Sequence, residues 1–195
     1  TCELHGKAHV ADPRGVVPRG APLTVWCDPV RLEWSAAEAA ALAGDPRRRR
    51  WLAELPGGVH FRPRGGALLG IWTFEATEAA GPPALPPRFD PDFAEVVLRG
   101  LARLVPGLRG YCGAGAQTPV DGGYYCKAPD NRPLIGALPV AGAFVAGALS
   151  GYGIMGAQAA AELAELRFVR CAPRTRPCAC QRGHVEGGRQ ATSND

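Results

Sequence analysis

The sequence lacks an apolar run long enough to span a bilayer and has no leader-like apolar segment at its start. Its longest apolar stretch, LIGALPVAGAFVAGAL, is interrupted by Pro139 and several glycines and falls short of the roughly 20 residues that a transmembrane helix needs. The seven cysteines are odd in number and irregularly spaced, which argues against a disulfide framework. These absences predict a soluble, cytoplasmic protein with reduced thiols and no membrane partner.

The sequence also lacks a strong excess of charge of one sign. Its formal net charge is +4, from 22 basic and 18 acidic residues, and the arginines at 47–50 are interpreted as a solvated face. This balance is too small to indicate nucleic-acid binding. A chain of 195 residues with 46% hydrophobic content can bury a real core. We therefore expect a globular domain without a nucleic-acid partner, in an oligomeric state that the sequence does not specify.

The middle of the sequence predicts antiparallel strands and covering helices. Residues 59–74 alternate around an RGG turn, as a β-hairpin does. SAAEAAALAG predicts a helix with a capping box formed by Ser35 and Glu38. DFAEVVLRGLARLVPGL predicts an amphipathic helix that ends near Pro106. Short strands are expected in PLTVWCDP, GGYYCKA and AFVAGAL, and residues 129–139 are expected to be a turn-rich loop.

A glycine motif stands near the end of the apolar sequence, in GALSGYGIMGAQ. Gly151, Gly153 and Gly156 have the spacing G-x-G-x-x-G and open an alanine-rich helix. Such a turn can cradle a pyrophosphate at a helix N-terminus. The dinucleotide fingerprint also needs a second strand ending in an acidic residue about 20 residues on, and beyond this helix no carboxylate comes before Glu186. The spacing alone is weak support for a Rossmann site, and glycines that merely permit close packing are an alternative.

Residues 120–166 resemble the C-terminal part of the D-amino-acid-oxidase-like FAD-dependent oxidoreductases, the glycine and sarcosine oxidase type. The resemblance rests on DNRPLIG, FVAGAL and SGYG in that order. Upstream, GVHFRPRGGALLGIWTF and VLRGLARLVPGL are similar to the hairpin and helix of the family's substrate domain. The resemblance covers roughly residues 22–166. It implies an α+β fold, with an antiparallel substrate-domain sheet, covering helices, and a C-terminal strand–glycine turn–helix unit of the FAD-binding domain.

The resemblance implies FAD as cofactor and hydride transfer from an amine or similar small substrate to the flavin. In this family the Ser-Gly-aromatic-Gly turn lies against the pyrimidine ring of the flavin, and an arginine of the Asn-Arg-Pro loop lies near it. The implied cofactor-binding residues are therefore Arg132, Ser150, Gly151, Tyr152, Gly153, Ile154 and Met155. No catalytic residue is implied. A surface pairing of Arg132 with Asp130 is the alternative for that arginine, and only one of Tyr124 and Tyr125 can face a cavity.

Two positions depart from the family's pattern. Sarcosine-oxidase-type members carry a cation where Met155 stands, and a methionine cannot hold a substrate carboxylate. Some relatives attach the flavin through a cysteine at the position of Gly123, whereas Cys126 lies three residues later. The resemblance therefore implies neither a carboxylate bound at position 155 nor a covalent flavin.

Nothing before residue 120 resembles the family's ADP-binding half, and the first residue is not Met, so we interpret the sequence as a fragment. The expected organisation is an irregular segment over 1–21, a substrate domain over 22–128, part of the FAD-binding domain over 129–166 and a disordered tail over 167–195. In that tail Cys171, Cys178, Cys180 and His184 match no common zinc module, and no metal site is assigned. The alternative function is a non-catalytic remnant or interaction domain that keeps the fold without cofactor.

Overall fold

The computed structural model describes residues 1–74, 83–113 and 115–170. The chain divides into two compact units, Thr1–Lys127 and Ala128–Asp195. The N-terminal unit contains β1 (Cys2–Ala11), β2 (Thr24–Trp26), β3 (Val30–Arg31), α1 (Ala36–Gly44), β4 (Glu54–Leu55), β5 (Val59–Arg64), β6 (Ala67–Ile71), α2 (Phe93–Leu104) and β7 (Val120–Cys126). The C-terminal unit contains β8 (Leu134–Ala137), β9 (Phe144–Gly147) and α3 (Gly153–Arg170).

Five strands of the N-terminal unit form one antiparallel sheet in the order β2-β5-β6-β1-β7. The hairpin β5–β6 turns between Arg64 and Ala67, where the sequence predicted it. The predicted amphipathic helix is α2. The α+β fold class is therefore confirmed, with an antiparallel sheet and a covering helix.

The prediction that residues 1–21 are irregular is wrong for Cys2–Ala11, which form β1. This strand lies inside the sheet, paired with β6 on one side and with β7 on the other. Gly6, Ala8 and Val10 are buried, while the residues between them are only partly buried. Because Gly6 and Ala8 are small, the alternation of apolar and polar residues that indicates a strand is weak in this sequence. The strand's hydrogen-bond partners, β6 and β7, are distant in sequence.

Helix α2 packs on one face of this sheet and forms the core with it. Val96, Val97 and Leu101 are fully buried. The helix can pack closely on the sheet because glycines lie at the contact: a Cβ on Gly6 would lie 2.6 Å from Cζ of Phe93. Small residues at these points let helix and sheet approach closely, so the apolar face of α2 is buried against the sheet and stabilises the fold.

A buried arginine connects α2 to α1. Arg99 donates through Nε to Glu95 at 2.6 Å and through a terminal nitrogen to Glu38 at 2.5 Å, and its guanidinium lies 3.9 Å from the ring centroid of Trp34. Glu38 also forms the predicted capping box with Ser35 at the start of α1. Hydrogen bonds from Ser35, and then from Arg99, lower the pKa of Glu38 to about 2.

The C-terminal unit consists of a β8–β9 ladder with α3 packed on it. The prediction of a turn-rich loop over 129–139 is wrong at Leu134–Ala137, which pair with β9. Helix α3 extends to Arg170, so the first four residues of the predicted tail are helical. The tail's cysteines and His184 lie outside the described residues. None of the described helices is long and apolar enough to cross a membrane.

We expect Gly100→Ala to destabilise the protein although alanine favours helices. A Cβ at position 100 would lie 2.5 Å from Cζ3 of Trp72, a fully buried ring whose Nε1 donates to Pro56 O. Overpacking of this kind costs about 1–3 kcal/mol, more than the roughly 1 kcal/mol of helix propensity gained. Urea unfolding measures the change. The control is Gly44→Ala, where a Cβ would meet nothing within 4 Å, and an equal effect of the two variants would contradict the prediction.

We expect Glu38→Gln to lower the free energy of unfolding at neutral pH and to change it little in acid. The folded-state pKa of Glu38 lies below its ordinary value, so its charge stabilises the fold above about pH 4.5 and loses that effect as the pH falls towards 2. Because Glu38 is 41% exposed, solvent screens its pair with Arg99 and the loss at pH 7 is about 1 kcal/mol. Unfolding at pH 7, 4.5 and 2.5 should show wild type and variant converging in acid. A difference that stays constant with pH would be inconsistent with this account.

Candidate functional site

The turn between β9 and α3 has an unusual backbone. Ala148, Ser150 and Gly151 have φ angles of 52°, 50° and 89°. Residues with side chains rarely adopt positive φ, and segments held there concentrate at functional sites. Ser150 is buried, and its Oγ donates to Ala148 O at 3.2 Å. A hydrogen bond within the turn therefore stabilises a backbone in which two non-glycine residues have positive φ.

The three glycines of the motif serve different purposes. Gly151 has positive φ, whereas Gly153 and Gly156 do not and lie within α3. A Cβ added at Gly153 or Gly156 would lie 3.9 or 3.7 Å from the nearest methyl of Leu149, which is ordinary contact. Of the three glycines, the backbone therefore demands glycine-like freedom only at Gly151.

The first backbone amides of α3 have no acceptor within the helix, and the side chains there are apolar and exposed. The amide of Tyr152 donates to Leu149 O, and that of Gly156 donates to Tyr152 O at 2.8 Å. The amides of Gly153, Ile154 and Met155 precede this first helical bond and have no acceptor within the helix. Ile154 and Met155 are 98% and 77% exposed. Donors and apolar surface at one helix end suit a flat heterocycle better than a bare anion.

Arg132 lies in the loop before β8. Its backbone amide donates to the side chain of Asp130 at 3.1 Å, and within the described ranges its guanidinium has no ion pair. Leu134 at the start of β8 pairs with Gly147 at the end of β9. This register brings the Arg132 loop and the turn at 148–152 to the same end of the ladder. The contact with Asp130 is made by the backbone of Arg132, so the alternative of a side-chain pair is not what the structure has.

The five-stranded sheet has a second face, opposite α2, that is lined with polar groups. Cross-strand partners share a face, so the pairs in the ladder and the alternation of burial define it. We call this surface the open face. Its polar members are Glu3, His5, Lys7 and His9 from β1, His60, Arg62 and Arg64 from β5, and Asp121 and Tyr125 from β7. It therefore carries three of the chain's four histidines.

His5 is held in a network at one end of the open face. Its Nε2 lies 3.4 Å from Glu3, its Nδ1 lies 3.3 Å from Oγ1 of Thr73, and its ring stacks on Tyr125 with centroids 4.0 Å apart. The hydrogen bond from Lys127 keeps the pKa of Glu3 low, while burial lowers the pKa of His5. A neutral His5 that donates from Nε2 to Glu3 accepts from Thr73 at Nδ1. The stacked Tyr125 is thereby fixed on this face, and Tyr124 points to the other.

The N-terminal unit also has a cleft of about 400 Å³ beside Glu33, Trp34, Arg99 and Cys112. Its arginines are engaged with carboxylates, since Arg99 binds two glutamates and both Arg103 and Arg109 bind Glu33. Burial raises the pKa of the Cys112 thiol, which disfavours a nucleophilic thiolate. The cleft thus offers a ligand few free groups. In the part of the chain that the structure describes, no cluster of side chains could hold a metal ion.

Comparison with known families gives a match over most of the chain. The family model DAO, described as FAD dependent oxidoreductase, matches residues 23–166. The chain belongs to this FAD-dependent oxidoreductase family. No curated protein and no solved structure matches it.

The alternation of β7 places Gly123 and Cys126 on opposite faces of the sheet. Gly123 shares the open face with Tyr125, and a Cβ there would meet nothing within 4 Å. Cys126 stands at a position of opposite parity in the strand and so points away from that face. The side chain of Cys126 therefore cannot take the place of a side chain at position 123 on the open face.

The polar groups of β1 were missed by sequence reasoning. In CELHGKAHVA the residues Glu3, His5, Lys7 and His9 alternate with Leu4, Gly6, Ala8 and Val10. This period of two is a strand signal, and it would have placed four polar side chains on one face. The signal was obscured because the buried side is built mainly from small residues.

We expect Gly151→Ala to destabilise α3 and its turn, since alanine would have to adopt a φ of 89°, at a cost of about 1–3 kcal/mol. Gly156→Ala is the matched control, because its Cβ fits against Leu149 and helix propensity gains up to about 1 kcal/mol. Amide hydrogen exchange of α3 measures both effects. Faster exchange in Gly156→Ala than in Gly151→Ala would refute the assignment of roles to the glycines.

Proposed function

We propose that this chain provides the substrate-facing sheet and the flavin-ring contact of an oxidoreductase that takes hydride from an amine or similar small substrate. Family membership supports an FAD-dependent oxidoreductase domain. The observation that carries the finer assignment is the left-handed turn at Ala148–Gly151 leading into the open N-terminus of α3. When bound, FAD would accept the hydride from the substrate.

The turn is suited to the ring of a flavin in two respects. Its exposed side chains Tyr152, Ile154 and Met155 are apolar or aromatic and can pack on a flat ring. The amides at the start of α3 and the positive end of the helix dipole can stabilise negative charge on the ring's carbonyl edge, by roughly 0.3–1 kcal/mol for the dipole. No charged residue occurs between Arg132 and Glu162, so the ring would meet a neutral surface flanked by one arginine.

The open face of the sheet is suited to a small polar substrate. It combines the partly buried Lys7 with a stacked His5–Tyr125 pair and the side-chain-free position Gly123. Gly123 leaves room for a ligand, while hydrogen-bonding groups around it are held by the sheet. Active-site residues placed on strands are positioned more rigidly than residues on loops, which supports this face as the substrate side of the domain.

The test uses flavin fluorescence with the 195-residue chain. We expect FAD and riboflavin to be quenched with similar weak affinities, within about threefold or 0.7 kcal/mol, because the proposed contacts are all to the ring. ADP should not compete. Gly151→Val should weaken quenching because it disturbs the turn, whereas Gly156→Ala should leave it nearly unchanged.

Each other result contradicts the proposal in a definite way. Competition by ADP or NAD would favour a pyrophosphate site at the glycine motif. Absence of quenching by any flavin would favour a remnant that keeps the fold without cofactor. Equal loss of quenching in Gly151→Val and Gly156→Ala would contradict the role given to the turn.

A further inference from the structure

Two cysteines stand directly opposite each other in the ladder that joins β1 to β7. Cys2 is partly buried and Cys126 is exposed, and both thiols are free. The register pairs Cys2 with Cys126 across the two antiparallel strands. The other two cysteines that the structure describes, Cys27 and Cys112, lie outside the strands. Among the described residues, the ladders therefore bring one pair of thiols face to face.

Hydrogen bonds at both ends of this ladder show which kind of pair the two cysteines form. At one end, the Thr1 ammonium donates to Lys127 O at 2.8 Å, and the Lys127 amide donates to Thr1 O at 2.9 Å. At the other end, the His9 amide donates to Pro119 O at 2.9 Å. Hydrogen-bonded and non-hydrogen-bonded pairs alternate along an antiparallel ladder. Odd-numbered residues are thus hydrogen-bonded to β7 here, and Cys2 belongs to a non-hydrogen-bonded pair.

A non-hydrogen-bonded pair has the geometry that a disulfide needs. Its Cα atoms lie about 4.5 Å apart, closer than the roughly 5.5 Å of a hydrogen-bonded pair, and its side chains stand on the same face. A disulfide joins Cα atoms that are about 4.4–6.8 Å apart. Cys2 and Cys126 can therefore be joined within the register that the sheet already has.

We propose that Cys2 and Cys126 are a modification site that forms a reversible cross-strand disulfide by exchange with a low-molecular-weight disulfide. The thiolate of the exposed Cys126 attacks one sulfur of the small disulfide, forms a mixed disulfide and releases one thiolate. The thiolate of Cys2 then attacks the Cys126 sulfur and releases the second thiolate. Two electrons and two protons pass from the cysteines to the small molecule, which leaves as two thiols. Because Cys126 is exposed, a reducing thiol can reach the bond and reverse the exchange.

The disulfide fixes the edge of the five-stranded sheet. β7 lies at that edge and pairs with β1 among the described strands. Its two adjacent glycines, Gly122 and Gly123, weaken it as a strand. A bond at its last residue, Cys126, restrains β7 against β1, and by closing a long loop it also removes conformational entropy from the unfolded chain. Oxidation is therefore expected to stabilise the N-terminal unit and to keep its fold.

The test treats the folded 195-residue chain with mixtures of oxidised and reduced glutathione and maps the products by mass spectrometry. After acid quenching and alkylation, trypsin releases Cys2 in residues 1–7 and Cys126 in residues 110–127, which also contain Cys112. We expect these two peptides to be cross-linked in the oxidised chain and separated again by excess reduced glutathione. Cys126→Ser should abolish the cross-link. Cys27→Ser and Cys112→Ser are the matched controls and should retain it.

Urea unfolding of the oxidised and reduced chains gives a second readout. We expect oxidation to lower the unfolding equilibrium constant of wild type at least about tenfold more than that of Cys126→Ser. Amides of β7 should also exchange with solvent more slowly in oxidised wild type than in the reduced chain.

Four results would overturn the assignment. The first is a mixed disulfide with glutathione at Cys126 without the cross-link, and the second is a cross-link that persists in Cys126→Ser. The third is a cross-link that forms faster in the urea-unfolded chain than in the folded chain, which would show that the sheet does not bring the thiols together. The fourth is an oxidised wild type that is no more stable than the reduced protein.

Discussion

The pairing of β1 with both β6 and β7 is the interaction on which the N-terminal unit depends. The two ends of this pairing are 126 residues apart in sequence, where the Thr1 ammonium donates to Lys127 O at 2.8 Å. β1 is the strand that joins β7 to the hairpin β5–β6. Without β1 the hairpin and β7 would not form one sheet, and α2 would lose much of the surface on which it packs.

The same strand separates structural from chemical residues. Because side chains alternate across a strand, one side of β1 supplies Gly6, Ala8 and Val10 to the core, and the other supplies polar groups to the open face. A register shift of one residue would exchange the two sets and place lysine and histidine beneath α2. Burial against α2 therefore fixes the position of every polar group on that strand.

Sequence reasoning succeeded where the signal is local. The hairpin, α2 and the capping box at Ser35 are each formed by residues that are close in sequence. It failed for β1 because small residues form most of its buried side and its partners are distant. It failed for β8 because Pro133 and Gly136 beside it indicate a turn, while pairing with β9 supplies the ladder.

The glycine motif shows how far a site can be inferred from spacing. Spacing locates a turn followed by a helix, and it cannot assign separate roles to its members. Positive φ singles out Gly151, and the other two glycines lie beside Leu149 without strain. The positive φ angles depend on the whole turn, since Ala148 and Ser150 adopt them as well. A pattern of glycines does not include these two residues.

The distribution of paired charges separates the groups that hold the fold from those that can bind a ligand. Arg99 bridges two carboxylates and so joins α1 to α2, and its donors are occupied. Lys127 and Glu3 likewise satisfy each other while they support His5. A group whose partners are within the fold stabilises it and has little left for a ligand. By that criterion the cleft beside Arg99 is structural, because its arginines are engaged with carboxylates of the same unit.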